Sequence, residues 1–280
     1  MKIVVVGGSG LVGSKLVDRL ALRGHQVVAA SRRTGVDAVT GQGLDAALEG
    51  AQVVVDVSNA PSFEDPAVTE FFRRATTQLL QAGARAGVAH HLALSVVGAA
   101  RLPDSAYFRA KQVQEGLLRQ APLPATLVQA TQFFEFMANI IPPGSGREAV
   151  RLSPARVQPV AANDVADLLA VLAEGPPSPD IVQMAGPESF RLCELVEWVM
   201  YSYQDERPVI ADPQARYYNA RLDDDTLTPR GEAVIGRTLF ADWLDGYLSG
   251  AIRLPQVHHP DPMAPAQSPR PAQATGAIGH

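Results

Sequence analysis

The 280-residue sequence is poor in cysteine, in charge and in long apolar runs, and each shortage excludes a class of protein. The single cysteine, Cys193, excludes an internal disulfide framework and fits a reducing compartment. No apolar run approaches the roughly 18 residues of a membrane helix, and the N-terminus turns into glycine too early for a secretory signal. Charged residues make up only 19%, and a net charge of −5 argues against a nucleic-acid surface. The composition therefore predicts a soluble, cytoplasmic protein without membrane or nucleic-acid partners.

Short runs of Val, Ile and Leu alternate with longer segments of helical period, which is typical of βαβ units. The predicted strands are continuously apolar, and they are Ile3–Val6, Gln26–Ala30, Val53–Val57, His91–Leu94 and Ala125–Gln129. The predicted helices between them are Leu11–Leu22, Pro66–Ala86 and Tyr107–Arg119. Strands without polar alternation are covered on both faces. The pattern therefore predicts an α/β fold with a doubly wound parallel sheet.

The pattern loosens beyond Gln129. Residues 140–160 are rich in Pro and Gly and predict a loop that could hold a short hairpin. Further helices are predicted at 163–174, 190–203 and 237–249, and a short strand at 181–187. Six prolines and few bulky apolar residues follow from Pro255 onward. We therefore expect one domain over 1–254, with an interleaved C-terminal cap over about 155–254, and a disordered Pro-rich tail at 255–280.

Three glycines at three-residue spacing, Gly7, Gly10 and Gly13, follow the first strand directly. Glycine lets a phosphate approach the backbone, and the helix that follows, with Ser9 as its predicted N-cap, directs unpaired N–H groups at an anion. Such a turn can also be purely structural. Its place at the carboxyl end of the first strand favours a dinucleotide site.

The end of the second strand indicates which dinucleotide is bound. An NAD site usually carries an acidic residue there, whereas this strand ends in Ser31, Arg32 and Arg33, with no acid before Asp37. Two guanidinium groups would bind a 2′-phosphate, so the sequence predicts NADPH (NADP+), although such arginines can also be merely solvated. Val57, Ser58 and Asn59, at the end of the third strand, are expected to line the cofactor.

Candidate catalytic residues follow the fourth predicted strand. Ser95 ends that strand, and Tyr107 and Lys111 lie four residues apart on one helix face. A free tyrosine has a pKa near 10, and a nearby ammonium group would lower it, while a serine hydroxyl can orient a substrate oxygen. The set predicts reduction of a carbonyl group with Tyr107 as proton donor.

At this point the sequence resembles the short-chain dehydrogenases/reductases, specifically their atypical NmrA-like, NAD(P)-binding branch. The resemblance covers Met1 to about Leu248 and rests on the motifs GGSGLVG, SRR, SVVGAARLPDSAYFRAK, LPATLVQATQFFEF and VQPVAANDVA. It implies a Rossmann-type fold with a small C-terminal substrate cap. It also implies a pyrophosphate site at Gly7, Ser9, Gly10, Leu11 and Val12, a basic residue at Arg32, the triad Ser95, Tyr107 and Lys111, and a nicotinamide border at Ala130, Thr131, Gln132 and Phe133. The Asn that the family places in the helix before the Ser-bearing strand has no counterpart here, which leaves the proton relay open.

The aromatic segment 131–137 predicts the substrate wall. Phe133, Phe136 and Met137, together with Val97, are expected to favour a flat, apolar or aromatic substrate. Adjacent His90 and His91 would point to opposite faces of a strand, so no metal site is predicted. The function expected is an NADPH-dependent oxidoreductase acting on a carbonyl, quinone or conjugated small molecule. Two alternatives remain open, a non-catalytic NADPH-sensing protein and a non-redox biosynthetic enzyme, as does the oligomeric state.

Overall fold

A computed structural model describes residues 1–140 and 149–252 of the chain. The strands are β1 (Lys2–Val6), β2 (Gln26–Ala30), β3 (Val53–Asp56), β4 (His90–Val96), β5 (Ala125–Ala130), β6 (Val150–Leu152), β7 (Arg156–Val157), β8 (Val182–Ala185), β9 (Phe190–Arg191), β10 (Val209–Ala211) and β11 (Val234–Ile235). The helices are α1 (Leu11–Leu22), α2 (Leu44–Leu48), α3 (Ala67–Ala86), α4 (Ala106–Arg119), α5 (Ala162–Glu174), α6 (Leu192–Ser202) and α7 (Phe240–Leu248).

Seven of the strands form one parallel sheet in the order β11–β8–β5–β4–β3–β1–β2. Alternate residues of β1 point to opposite faces, and both sets are buried. Ile3 and Val5 pack with α1 and α5, whereas Val4 and Val6 pack with α2 and α3. Burial of each such side chain contributes about 1.5–3 kcal/mol. The predicted α/β, Rossmann-type fold is confirmed. The strands are continuously apolar because both faces of the sheet are covered, as expected.

The C-terminal part contributes both to the sheet and to a second hydrophobic cluster. Strands β8 and β11 extend the sheet beyond β5, and α5 packs against α1. The second cluster lies among α6, α7 and the segment after β5, with Phe134, Leu195 and Phe240 at its centre. The strand order reverses at β1, between β2 and β3, which is where doubly wound sheets bind ligands.

Several local predictions need correction. The hairpin expected within 140–160 is wrong, because β6 pairs with β10 and β7 with β9, and residues 141–148 lie outside the described residues. Helix α6 begins at Leu192, since the preceding pair Phe190–Arg191 is strand β9. Gly10 is the N-cap of α1 in place of Ser9. The tail predicted at 255–280 lies beyond the described residues.

Candidate cofactor and active site

A cavity of about 740 Å³ lies at the carboxyl ends of the central strands, over the point where the strand order reverses. Its wall is formed by the segments that follow β1, β2, β3, β4 and β5, by α4, and by the loop at 217–218. The parallel arrangement explains the convergence, because it brings the ends of all these strands to one edge of the sheet.

The glycine turn at the start of α1 is packed so closely that side chains would not fit. Gly7 has φ +81°, and a Cβ on it would lie 2.9 Å from the backbone nitrogen of Ser58. A Cβ on Gly13 would lie 2.1 Å from the Gly7 carbonyl oxygen. The turn is tied to β2 through the Gly7 N–H, which donates to Ala30 O at 2.9 Å. Gly7, Ser9, Gly10, Leu11 and Val12 line the cavity. The start of α1, whose first-turn N–H groups have no intrahelical acceptors, therefore belongs to the cavity wall.

The segment after β2 brings the predicted basic residues to the same cavity. Ser31, Arg32 and Arg33 all line it. The Ser31 hydroxyl oxygen is buried and has no hydrogen-bond partner among the described residues. Asp37 also lines the cavity, but its Oδ1 accepts the backbone N–H groups of Val39 at 2.8 Å and of Thr40 at 3.2 Å. The carboxylate of Asp37 is thus already engaged by its own loop, whereas the two arginines are exposed.

The end of β3 supplies Val57, Ser58 and Asn59 to the cavity wall, as predicted. Buried Asp56 holds this segment, because its Oδ1 accepts the Ser58 hydroxyl at 2.6 Å and the Ser58 backbone N–H at 2.9 Å. The prediction that the third strand continues to Val57 is wrong by one residue, since β3 ends at Asp56.

Ser95, Tyr107 and Lys111 line this one cavity, from the end of β4 and from one face of α4. The Ser95 hydroxyl donates to Oε1 of Glu115 at 2.6 Å. Glu115 is only 2% exposed and did not feature in the sequence analysis. It could have been found there, because Lys111 and Glu115 are four apart and share the helix face that carries Tyr107.

Lys111 is 3% exposed and is held at two places. Its Nζ donates to the carbonyl oxygen of Leu94 at 2.8 Å and lies 4.3 Å from the centre of the Phe72 ring. Burial lowers the pKa of Lys111 to about 8, although the nearby carboxylates of Asp56 and Glu115 oppose this shift.

Tyr107 lies within a cluster of aromatic rings. Its ring centre is 4.6 Å from that of Phe63 and 6.3 Å from that of Tyr218. Burial, together with the neighbouring Tyr218, raises the pKa of the Tyr107 phenol well above its usual value of 10. The expectation of a lowered pKa for Tyr107 is therefore not met in this structure, because burial and Tyr218 both raise it.

The segment after β5 forms the remaining wall. Ala130, Thr131, Gln132 and Phe133 line the cavity, followed by Phe136 and Met137. Both polar atoms of the buried Gln132 side chain have no hydrogen-bond partner among the described residues. Val97 does not belong to this wall, which corrects the prediction. Its side chain is fully buried, and its backbone N–H donates to Ala130 O at 2.8 Å.

Part of the wall comes from residues that the sequence did not mark. These are chiefly residues of the loop after β3 and of the start of α3, namely Ala60, Pro61, Ser62, Phe63, Glu70, Phe71 and Arg74; the turn at 217–218 adds Tyr217 and Tyr218, from a segment whose sequence is compatible with a lid or with packing. Tyr218 adopts a positive φ of 48°, and the following Asn219 one of 68°. The only signal was the aromatic pair itself, which in a sequence is equally compatible with core packing.

Comparison with known proteins supports the fold. The sequence model of the NAD dependent epimerase/dehydratase family matches residues 3–101. That stretch contains the glycine turn, the two arginines and Ser95, and it ends before Tyr107 and Lys111.

One curated relative is the photosystem II assembly factor Ycf39 of Synechocystis sp., which is 27% identical over 149 residues. The match covers 48% of this chain and 46% of that protein. Among solved structures, the UDP-glucose 4-epimerase of Thermus thermophilus in complex with NAD has a TM-score of 0.64 at 18% identity, with 90% of this chain and 100% of that chain covered. The dTDP-glucose 4,6-dehydratase DesIV of Streptomyces venezuelae, with NAD and TYD bound, has a TM-score of 0.65 at 17% identity, with 89% and 96% covered. At such identities the likeness is one of fold.

Metal-binding clusters and membrane-spanning helices are both missing from the described part of the chain. Within residues 1–140 and 149–252, no group of three or more His, Cys, Asp or Glu side chains is placed to hold a metal ion. No helix in these same ranges is long and apolar enough to cross a membrane.

Proposed function

We propose that this chain binds NADPH and transfers its hydride to a carbonyl, quinone or conjugated carbon of an apolar or aromatic small molecule. The observation that carries the proposal is the shared cavity. The glycine turn, the pair Arg32 and Arg33, and the set Ser95, Tyr107 and Lys111 all line it. The solved structures of the same fold that hold NAD support a nicotinamide dinucleotide as the cofactor.

The residues present are compatible with that cofactor. The close packing around Gly7 and Gly13 holds the turn in place at the start of α1, where a pyrophosphate would meet the first-turn N–H groups. The unpartnered hydroxyl of Ser31 lies beside two exposed arginines in sequence, where a 2′-phosphate would bind. This arrangement favours NADPH over NADH.

The side chains proposed to take part in the reaction are on α4 and β4. NADPH supplies the hydride when it is bound. The Tyr107 phenol is protonated near neutral pH and can donate a proton to the substrate oxygen, but its raised pKa makes it a weaker acid than a free tyrosine. Lys111, a cation below pH 8, would stabilise the phenolate that remains. Ser95 would contact the hydroxyl group of the alcohol that forms.

The choice of NADPH is tested with the double variant Arg32→Ala/Arg33→Ala. Loss of charge-assisted hydrogen bonds to a 2′-phosphate should weaken NADPH binding by about 1.5–3 kcal/mol, or roughly 10- to 150-fold, and leave NADH binding unchanged. Fluorescence titration of both cofactors measures this. Arg85→Ala is the control, since Arg85 pairs with Asp45 on the surface and neither residue lines the cavity. An equal loss for both cofactors would contradict the assignment.

The catalytic role of Tyr107 is tested with Tyr107→Phe. Loss of the proton donor should lower kcat by about 10²- to 10⁴-fold with quinones and enones, while the Kd for NADPH stays within about twofold of wild type. Tyr201→Phe, on the exposed outer face of α6, is the control. Full turnover by Tyr107→Phe would remove Tyr107 from the mechanism. Tight NADPH binding by wild-type protein without oxidation across the panel would favour the NADPH-sensing alternative.

A redox-neutral reaction is the second candidate. It is favoured by the family model over 3–101 and by the epimerase and dehydratase that share the fold. The wall near Tyr107 is instead largely aromatic, with Phe63, Phe133, Phe136 and Tyr218, which suits an apolar ligand better than a sugar nucleotide. Product analysis distinguishes the two, because only the reductase consumes NADPH in proportion to product.

A further inference from the structure

The direction of one hydrogen bond limits what Ser95 can bind. A serine hydroxyl has one proton and two lone pairs. The Ser95 proton is directed to Oε1 of Glu115 at 2.6 Å, and a carboxylate can only accept. What Ser95 offers to the cavity that it lines is therefore an oxygen lone pair.

A row of side chains across three strands fixes that direction. Ser95, Gln129 and Gln183 are register neighbours on β4, β5 and β8. The Arg230 backbone N–H, which can only donate, binds Oε1 of Gln183 at 3.0 Å. The amide of Gln183 must then donate to Oε1 of Gln129 at 2.9 Å, and that of Gln129 to Oε1 of Glu115 at 2.9 Å. Because the row starts at a backbone donor, neither amide can be reversed without losing a hydrogen bond, and for Gln129 the lost bond to Glu115 is buried.

The surroundings keep Glu115 in place as an acceptor. Its second oxygen, Oε2, accepts from Arg119 at 3.3 Å, and Arg119 reaches the surface. Lys111, one helical turn earlier, is held by the Leu94 carbonyl and has the charges of Asp56 and Glu115 nearby. Both oxygens of this buried carboxylate accept hydrogen bonds. Glu115 therefore stays in place as the acceptor of the hydrogen bond from the Ser95 hydroxyl.

We propose that Glu115 is a positioning residue that turns the Ser95 proton away from the cavity, so that Ser95 binds a hydroxyl group of the ligand in preference to a carbonyl oxygen. The inference rests on the proposed function in one respect, that Ser95 meets the ligand. It also adds a ligand preference to that function. With a hydrogen-bond acceptor at Ser95, an alcohol should bind more tightly than the corresponding ketone.

The contact between Glu115 and position 95 is tested without any substrate. In Ser95→Cys the buried carboxylate should raise the pKa of the new thiol, and Ser95→Cys/Glu115→Gln removes that charge but keeps the shape. Iodoacetamide alkylation of the thiol at position 95 is followed against pH by peptide mass spectrometry. At pH 8 it should be at least about tenfold slower in Ser95→Cys than in the double variant, since one pKa unit changes the thiolate fraction roughly tenfold.

The matched control for this experiment is Ser95→Cys/Glu135→Gln. Glu135 is also a buried carboxylate, but it accepts the backbone N–H of Ala162 at the start of α5. This control should alkylate at the rate of Ser95→Cys alone. Coincident pH profiles with and without Glu115→Gln would overturn the positioning role of Glu115.

The acceptor role of Ser95 is tested with 2-naphthol and 2-methoxynaphthalene, which differ in one donated hydrogen bond. Wild-type protein saturated with NADPH should bind 2-naphthol about tenfold more tightly or better, and in Ser95→Ala the difference should fall below about threefold, in line with the loss of one hydrogen bond. Equal binding of the two compounds, or binding of neither, would overturn the acceptor role.

The thiol and naphthol results are independent of turnover, so a failure of this inference is distinguishable from a failure of the proposed function. If no quinone or enone is reduced and both tests still give the expected differences, the proposed reduction fails and the inference stands. If NADPH is oxidised and the thiol profiles coincide, the inference fails by itself.

Discussion

The two ends of the cavity are built in different ways. The proposed cofactor end is the wall formed by the glycine turn and by residues next to the ends of β1, β2 and β3. The proposed substrate end is the wall formed by aromatic side chains from the loop after β3, from the segment after β5 and from the turn at 217–218. Phe63 and Tyr218, far apart in sequence, meet there with ring centres 6.1 Å apart.

Because of this difference, the two ends of the cavity should tolerate amino-acid substitutions differently. Backbone recognition at the cofactor end depends on the absence of Cβ atoms, so a single methyl group there affects both folding and binding. Side-chain recognition at the substrate end depends on rings that can be replaced one at a time, with graded effects. We therefore expect changes at the cofactor end to act on stability and cofactor binding together, and changes at the substrate end to act on substrate binding alone.

The largest expected effect is that of Gly13→Ala. The added Cβ would lie 2.1 Å from Gly7 O, a contact with rigid backbone that forces the turn apart. We expect the free energy of unfolding to fall by roughly 3 kcal/mol, as measured by urea denaturation, and NADPH binding to weaken at least about tenfold. Gly116→Ala is the matched control in α4, because a Cβ there meets nothing within 4 Å, and it should stabilise the protein by about 0.5–1 kcal/mol. Equal effects of the two substitutions would contradict the distinction.

The difference between the two ends of the cavity also explains how much of the site could be predicted from the sequence. Helix α1 was predicted to the residue, and all of the predicted cofactor residues line the cavity, because strand, turn and helix follow one another locally. The hydrophobic runs also predicted the strands of the central sheet except β11, since parallel strands buried on both faces leave a continuous apolar signal, whereas both residues of β11 are exposed.

Contacts between segments that are far apart in the sequence could not be predicted, because no local sequence pattern marks them. Val97 was predicted for the substrate wall, yet its side chain is buried in the core, and its backbone N–H donates to Ala130 O. Glu115 reads in sequence as one more acidic residue on a helix, and only the register of β4 and β5 places it between Ser95 and Gln129. The roles of Phe63 and Tyr218 likewise depend on how the C-terminal part folds back.

The next effect concerns Lys111, which lies between the two ends. Its folded-state pKa of about 8 is below the 10.5 of the unfolded chain, so the unfolded chain binds more protons between these values. The stability of the wild-type protein should therefore rise with pH in this window relative to Lys111→Met, which does not titrate. From about pH 7 to pH 9.5 the difference in free energy of unfolding should change by about 2 kcal/mol in favour of wild type. Lys2→Met, at the start of β1, is the control, and a pH-independent difference for Lys111→Met would show that the ammonium group is not desolvated.

The smallest expected effect is that of Tyr218→Ala at the substrate end. The variant loses the ring contacts with Tyr217 at 4.7 Å and with Phe63 at 6.1 Å, which are worth about 0.5–1.5 kcal/mol beyond area burial. KM for 1,4-naphthoquinone should rise about three- to tenfold, with kcat and the Kd for NADPH within about twofold of wild type. Tyr201→Ala, 78% exposed on α6, should change none of these quantities. If Tyr218→Ala weakened NADPH binding as much as it raised KM, the two ends of the cavity would be coupled, and backbone recognition at one end would depend on side chains at the other.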